Sequence, residues 1–152
     1  MFYDIVTNKA LVIPVAVWAI SQLSKVVIVL VREKRLDWGF LIRSGGMPSS
    51  HTGLVCSLAA VTGMMYGFGS IAFAITAILA MVVMYDATNV RQAVSEQSVI
   101  LNRLLRELRE KRPRDEVERD LKEFIGHTPF QVIIGALVGI LIAWLWLIII
   151  GV

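Results

Sequence analysis

Four long runs of apolar residues constrain the fold of this chain more than any other feature. They cover residues 10–31, 52–68, 70–85 and 131–152. The hydrocarbon core of a bilayer is about 30 Å thick, and a helix of roughly 20 apolar residues crosses it. The mean hydropathy of +0.71 also lies well above that of soluble domains. The sequence therefore predicts an all-α integral membrane helix bundle with about four transmembrane helices, in a single domain spanning residues 1–152.

The basic residues indicate how such a bundle is oriented. Thirteen of the fifteen Lys and Arg residues lie in two connections, at positions 32–43 and 91–122. With four spans both connections fall on one side of the membrane, which the positive-inside rule makes cytoplasmic. We expect a bacterial plasma membrane location, with both termini facing outward. The net charge of +3 then reflects topology and contact with membrane lipids, and we expect no nucleic-acid partner.

The longer connection has helical periodicity of its own. Leucines at positions 101, 104, 105 and 108 recur at helical spacing among arginines, and Pro113 interrupts the pattern before a second helix that ends near Gly126. The sequence predicts a cytoplasmic amphipathic helical hairpin over about 98–125. We expect it to lie on the membrane surface or to cover the bundle, and a partner-binding helix is the alternative.

A lysine inside the first apolar run is the first candidate functional residue. Lys25 precedes Arg32 by seven residues, which places both on one helix face roughly 10 Å apart. A lysine within a span is costly unless it is paired or faces a cavity, although it can also extend toward the membrane interface. The neighbouring Ser21, Gln22 and Ser24 favour a polar lining.

Three further polar residues are predicted at the same membrane level. His51 starts the second span, Arg91 follows the third, and His127 precedes the fourth. The chain contains no other histidine. With four spans these side chains converge with Lys25 and Arg32 on the cytoplasmic ends of the helices, where helix bundles can build a site from facing side chains.

This set of residues favours phosphate chemistry. Two histidines without a third ligand make a poor metal site, so we predict neither metal nor cofactor. A dense group of cations suits a phosphate, and one imidazole can attack phosphorus while the other protonates the leaving oxygen. In "GGMPSSH" the glycines allow close backbone approach, Ser49 and Ser50 can donate hydrogen bonds, and the start of the following helix favours an anion.

The order of these residues resembles the type 2 phosphatidic acid phosphatase (PAP2) superfamily, which includes the vanadium-dependent haloperoxidases, and most closely its divergent membrane branch. The first motif of that superfamily is Lys, six residues, Arg and Pro. "KVVIVLVRE" matches it with Lys25 and Arg32, and Glu33 stands in place of the proline. The second motif is Pro-Ser-Gly-His, and "PSSH" at 48–51 matches it with serine in place of glycine.

The third motif of the superfamily contains Ser-Arg, five residues, His, three residues and Asp, often followed by Val and two spaced glycines. "HTPFQVIIGALVG" matches it with His127, Val132, Gly135 and Gly139. Gln131 stands where the orienting aspartate belongs. The nearest upstream candidate for the arginine is Arg91, which makes the hairpin an insertion within the motif. Asp86 or Glu96 could then supply the missing negative charge.

The resemblance implies a role for each matching residue. His127 would be the nucleophile, His51 the general acid and Gln131 the residue that orients the nucleophile. The phosphate oxygens would be held by Lys25, Arg32, Ser49, Ser50 and Arg91. The implied function is a membrane phosphatase that hydrolyses a lipid phosphate or pyrophosphate through a phosphohistidine, at the cytoplasmic face and without a metal.

Three other functions remain open at this point. The chain could bind or transport phospholipids without turnover, keeping a PAP2-like phosphate pocket, or it could have a purely structural role. Vanadate-dependent halide oxidation uses the same kind of pocket in the superfamily, but it fits a small membrane chain less well. Four short helices make a thin bundle, which leaves room for a homodimer.

Overall fold

The computed structural model describes residues 1–34, 36, 46–109 and 128–150, apart from the side chains of residues 95, 103, 106–109 and 150. Those residues fold almost entirely into helices, and no strand occurs among them. A short helix α1 precedes the main elements. The elements in chain order are α1 (Phe2–Thr7), α2 (Lys9–Glu33), α3 (Ser50–Tyr66), α4 (Ile71–Tyr85), a π-helical turn (Asp86–Val90), α5 (Arg91–Arg109) and α6 (Pro129–Ile150). The predicted all-α helix bundle is confirmed.

Helix α3 occupies the centre of the bundle and packs against α2, α4 and α6. It runs antiparallel to α4, because the hydroxyls of Thr62 and Thr76 are 2.7 Å apart near the turn that joins the two helices. It also runs antiparallel to α2, because Lys25, near the end of α2, contacts Ser50 at the start of α3. The C-terminal end of α2 and the N-terminal end of α3 therefore meet.

The bundle buries small and polar side chains on α3 and exposes large apolar ones elsewhere. The buried residues of α3 include Ser50, Thr52, Gly53, Ser57, Thr62 and Gly63. On α4 and α6, in contrast, Ile71, Ile75 and Ile149 are more than 60% exposed. Lipid tails solvate such side chains, and small residues let helix backbones approach closely inside a membrane. This distribution is typical of a bilayer-embedded bundle.

Glycines set the distance between α3 and α6. A Cβ added to Gly135 would lie 2.6 Å from the carbonyl oxygen of Ser49, and one added to Gly139 would contact the backbone of Gly53. The two glycines are four residues apart and so share a helix face. The two helices are parallel, because Ser49 and Gly53 meet Gly135 and Gly139 in the same chain order. The beginning of α6 is thereby held against the beginning of α3.

Three helical segments within the described residues are long and apolar enough to cross a membrane: Lys9–Glu33, Ile71–Asn102 and Pro129–Ile149. They correspond to the first, third and fourth predicted spans. The second predicted span, 52–68, corresponds to α3, which has 17 residues and stands at the lower end of the length needed to cross. The count of four spans and the cytoplasmic position of the loops stay predictions.

The amphipathic part of the long connection begins earlier than the sequence pattern indicates. The predicted hairpin starts at about residue 98, whereas α5 begins at Arg91 and continues from α4 through the π-helical turn. The polar residues after Tyr85 break the apolar run but not the helical backbone. The segment Ile71–Asn102 has 32 residues and is about 48 Å long, so it would extend beyond a bilayer core. The second half of the predicted hairpin lies outside the described residues.

Candidate functional site

The start of α3 is a polar pocket inside an apolar protein. Ser49 directly precedes the first residue of α3 and has an extended backbone, and Ser49, Ser50 and Thr52 are all essentially buried. The hydroxyls of Ser49 and Thr52 lie 2.9 Å apart. Gly46, in the turn before them, has a φ of +80°, a left-handed conformation that favours glycine. The glycine and serine residues of "GGMPSSH" thus shape a turn that delivers buried hydroxyl groups to a helix N-terminus.

Lys25 reaches this pocket from α2. Its side chain is buried, with 3% of the residue exposed, and its Nζ donates a hydrogen bond to Ser50 Oγ over 3.3 Å. Ser21 and Gln22 are buried on the same part of α2. This arrangement agrees with the predicted polar lining and not with a lysine that extends to the membrane interface.

The surroundings of Lys25 favour an anion. The first amides of a helix have no intrahelical partner and carry a partial positive charge. Ser49 forms no side-chain hydrogen bond that caps α3, and the ammonium of Lys25 lies against the same helix end. Among the described residues, no carboxylate forms an ion pair with Lys25. A negative group would be stabilised at this position, as it is at other helix N-termini.

His51 stands in the first turn of α3, before the predicted span 52–68. The residue is exposed, yet partial desolvation by the surrounding protein lowers the pKa of its imidazole. The positive charges of Arg91 and Lys25 lower that pKa further, and the carboxylate of Asp86 raises it. Arg91 and Asp86, which follow α4, therefore lie close enough to His51 to influence its charge. The predicted role of Arg91 in binding phosphate stays a prediction.

Asp86 holds Arg91 at this end of the bundle. The Nε of Arg91 lies 2.8 Å from Asp86 Oδ2, and both side chains are half-buried. The sequence motifs indicate Asp86 only as an alternative source of negative charge, and they do not place it among the phosphate-binding residues. A five-residue separation is not a pairing distance in an ordinary α-helix, so the spacing gave no signal of this contact.

Gln131 has a structural role at the start of α6. Its Oε1 accepts a hydrogen bond from the backbone N–H of Thr128 over 3.2 Å, and the Thr128 hydroxyl accepts one from the backbone N–H of Gln131 over 3.4 Å. These reciprocal bonds form a capping box, with Pro129 in the first helical position. The sequence "TPFQ" carries that signature. The predicted role of Gln131 in orienting a histidine stays a prediction.

The described contacts join Lys25 to Ser50 and Arg91 to Asp86, and they do not reach Arg32 or His127. Arg32 lies in the last turn of α2 and is exposed. His127 lies outside the described residues and directly precedes Thr128, where the described chain resumes. Among the residues that are described, no group of three or more His, Cys, Asp or Glu side chains could hold a metal ion.

Comparison with known proteins identifies the family to which this site belongs. The sequence profile of the "Divergent PAP2 family" matches residues 6–142, which is most of the chain. The chain belongs to the divergent PAP2 family. It is also 34% identical over 148 residues to "Uncharacterized membrane protein YuiD" of Bacillus subtilis (strain 168), covering 91% of this chain and 94% of that protein. No solved structure matches the chain.

Membership of the divergent PAP2 family confirms the resemblance recognised in the sequence and supports a membrane location. The matched region contains Lys25 on α2 and the start of α6. It also contains the turn before α3 and the π-helical turn after α4. The family assignment and the apolar helices agree that this PAP2-like protein is a membrane protein. The structure places its polar residues Lys25 and Ser50 together at one end of the bundle.

Proposed function

We propose that this divergent PAP2 protein hydrolyses the phosphate or pyrophosphate group of a membrane lipid, at the cytoplasmic face and without a metal or other cofactor. The observation that supports the proposal best is the buried ammonium of Lys25 on Ser50, at the uncapped N-terminus of α3. Lys25 and the amides of α3 form a preorganised site for a phosphoryl group, whose charge is spread over its oxygens.

The proposed reaction has two steps. In the first, an imidazole nitrogen of His127 attacks phosphorus, the bond between phosphorus and the lipid oxygen breaks, and His51 donates a proton to that oxygen. In the second, His51 takes a proton from water as the water oxygen attacks phosphorus. The phosphorus–nitrogen bond then breaks, which releases inorganic phosphate and restores His127.

The electrostatic surroundings of His51 suit a general acid that takes up its proton when the substrate binds. Desolvation by the surrounding protein lowers the pKa of the imidazole, and the charges of Arg91 and Lys25 lower it further. A bound phosphate dianion would neutralise these cations and favour the imidazolium. His51 would then gain its proton as the substrate binds, next to the leaving oxygen that receives it. The remaining phosphate oxygens would be held by Ser49, Ser50, Arg32 and Arg91.

The test is phosphate release by the purified protein in detergent, from a panel of lipid phosphates and pyrophosphates. We expect release in the presence of EDTA and inhibition by orthovanadate. His127→Ala should abolish release, and His51→Ala should reduce it by about 100-fold or more, the usual loss for a general acid. Tyr66→Ala is the control, because Tyr66 is an exposed aromatic residue at the opposite end of α3 from His51.

A second candidate function is phospholipid binding or transport without turnover. The observation that favours it is the capping bond of Gln131, whose oxygen accepts from Thr128 where a catalytic carboxylate would stand in the wider superfamily. Under this alternative the folded wild-type protein would bind lipid phosphates and release no phosphate from any of them. Metal-independent release that is lost in both histidine variants would exclude it.

A further inference from the structure

A π-helical turn separates α4 from α5 at the point where the helix leaves the bundle. Residues Asp86–Val90 form this turn, and the backbone N–H of Arg91 donates to the carbonyl oxygen of Asp86, five residues earlier. In an α-helix, side chains five residues apart point about 140° away from each other, because each residue turns the chain by about 100°. A π-helical turn takes in one more residue and brings positions i and i+5 onto one face.

The turn is what allows Asp86 and Arg91 to pair. Ion pairs along an α-helix join residues three or four apart, whereas this pair joins residues five apart with Nε and Oδ2 at 2.8 Å. The turn is anchored to the bundle, since Ala87 is 3% exposed and the segment packs against α6. The guanidinium is therefore fixed in place relative to the ends of α3 and α6.

Stabilising the fold is a weak explanation for this pair. Half-exposed ion pairs contribute little to folding, because water and salt screen them, and a π-helical turn interrupts regular helical hydrogen bonding. The pair does, however, act on the site: both Arg91 and Asp86 influence the charge of His51, which stands on a different helix. Asp86 engages Arg91 through Nε, and the terminal N–H groups of a guanidinium can then form the two-pronged contact that phosphate favours.

We propose that Asp86 is a positioning residue of the phosphate site. It binds Arg91 across the π-helical turn and aims the terminal N–H groups of the guanidinium at an oxyanion held by Lys25 at the start of α3. The inference rests on the proposed function in one respect, namely that the ligand is a phosphate group. It does not require that the phosphate be hydrolysed.

The experiment measures binding of orthovanadate, an oxyanion analogue of phosphate, to the full-length protein in detergent by calorimetry, together with thermal unfolding. Asp86→Asn should weaken binding by about fivefold to tenfold, with a small change in Tm, because a surface pair contributes little to folding. Asp4→Asn is the matched control. Asp4 is also a carboxylate in an exposed ion pair, with the N-terminal amine at 2.7 Å, and it lies in α1, at the end of the bundle opposite the site. It should leave both quantities unchanged.

The exchanged variant, Asp86→Arg combined with Arg91→Asp, separates positioning from a purely structural role. It restores opposite charges at the two positions but moves the cation away from position 91. We expect its Tm to match the wild type while orthovanadate binding stays weak. Recovery of binding along with Tm in the exchanged variant would overturn the inference, and so would wild-type affinity in Asp86→Asn.

The outcomes also separate this inference from the proposed hydrolysis. If the protein binds orthovanadate with an affinity that depends on Asp86 but releases no phosphate from any lipid, positioning stands and hydrolysis fails. If it hydrolyses lipid phosphates and Asp86→Asn changes neither affinity nor turnover, hydrolysis stands and positioning fails. If the folded wild-type protein binds neither phosphate nor orthovanadate and hydrolyses nothing, both are wrong.

Discussion

Lys25 lies in surroundings that disfavour its charge and would favour an anion. Its ammonium is buried, hydrogen-bonded to a neutral hydroxyl, and placed beside the positive end of α3. Each of these conditions disfavours a charge, and a buried cation without a compensating anion is costly. Under the proposed function, a bound oxyanion would supply the compensating negative charge.

Lys25→Met removes the charge and keeps the length and apolar stem of the side chain. We expect orthovanadate affinity to fall by about tenfold or more, since a charge-assisted hydrogen bond contributes about 1.5–3 kcal/mol. The Tm of the ligand-free protein should rise, because the uncompensated ammonium is gone. Lys9→Met, at the first residue of α2, is the control. A fall in both affinity and Tm would mean that Lys25 serves the fold and not a ligand.

The surroundings of individual residues were predictable from the sequence to different degrees. The positions of Lys25 within the first apolar run and of the "PSSH" turn before the second were sufficient to predict a shared polar pocket. Successive spans meet at the same membrane face, and the face of a helix follows from periodicity. The pair of Asp86 and Arg91 was missed because a π-helical turn changes which residues share a face and leaves no periodic signal. The capping box at Gln131 could have been recognised from "TPFQ", but the motif comparison drew attention to a catalytic role.

At the scale of elements, the contact between α3 and α6 positions the site. Gly135 lies against Ser49 and Gly139 against Gly53, so the backbone of α6 approaches the backbone of α3 along one face. Backbone atoms cannot move aside as a flexible side chain can. A side chain at either glycine would therefore push α6 away from the buried hydroxyls of Ser49 and Ser50 at the start of α3.

Gly139→Ala tests this packing. The added Cβ would lie within 2.9 Å of Gly53 Cα, so we expect the free energy of unfolding to fall by about 1–3 kcal/mol, as for other overpacked positions. Orthovanadate binding should weaken as well, since α6 is displaced from the start of α3. Gly69→Ala is the matched control, because a Cβ there meets no atom within 4 Å. Equal unfolding curves for the two variants would contradict the close approach of α3 and α6.

The elements were predictable to different degrees. The apolar runs located α2, α4 and α6 to within a few residues, because length and hydropathy suffice for helices that face lipid. The continuity of α4 with α5 was not predictable in the same way. The sequence changes there from apolar to polar, a change that usually indicates the end of a helix. In the structure the helical backbone continues through this point.

For the whole molecule, the packing fixes which helix ends lie together. Ile13 and Val17, near the start of α2, share a buried cluster with Ala143 and Leu147, near the end of α6. The chain therefore enters and leaves the bundle at the same end, opposite the phosphate pocket. Combined with the basic residues near the pocket, this arrangement predicts that the pocket faces the cytoplasm and both termini face outward.

Cysteine labelling in intact cells can test this orientation. Cys56 is the single cysteine, and Cys56→Ala gives a background into which one new cysteine is placed. A membrane-impermeant maleimide should label Gly69→Cys, in the turn between α3 and α4, because this turn lies at the end opposite the pocket. Ser98→Cys, on α5 beyond the pocket, should be labelled only after permeabilisation. The reverse pattern would place the pocket on the outer leaflet. Labelling of both positions in intact cells would contradict the span count, since α4 would then not cross the membrane between them.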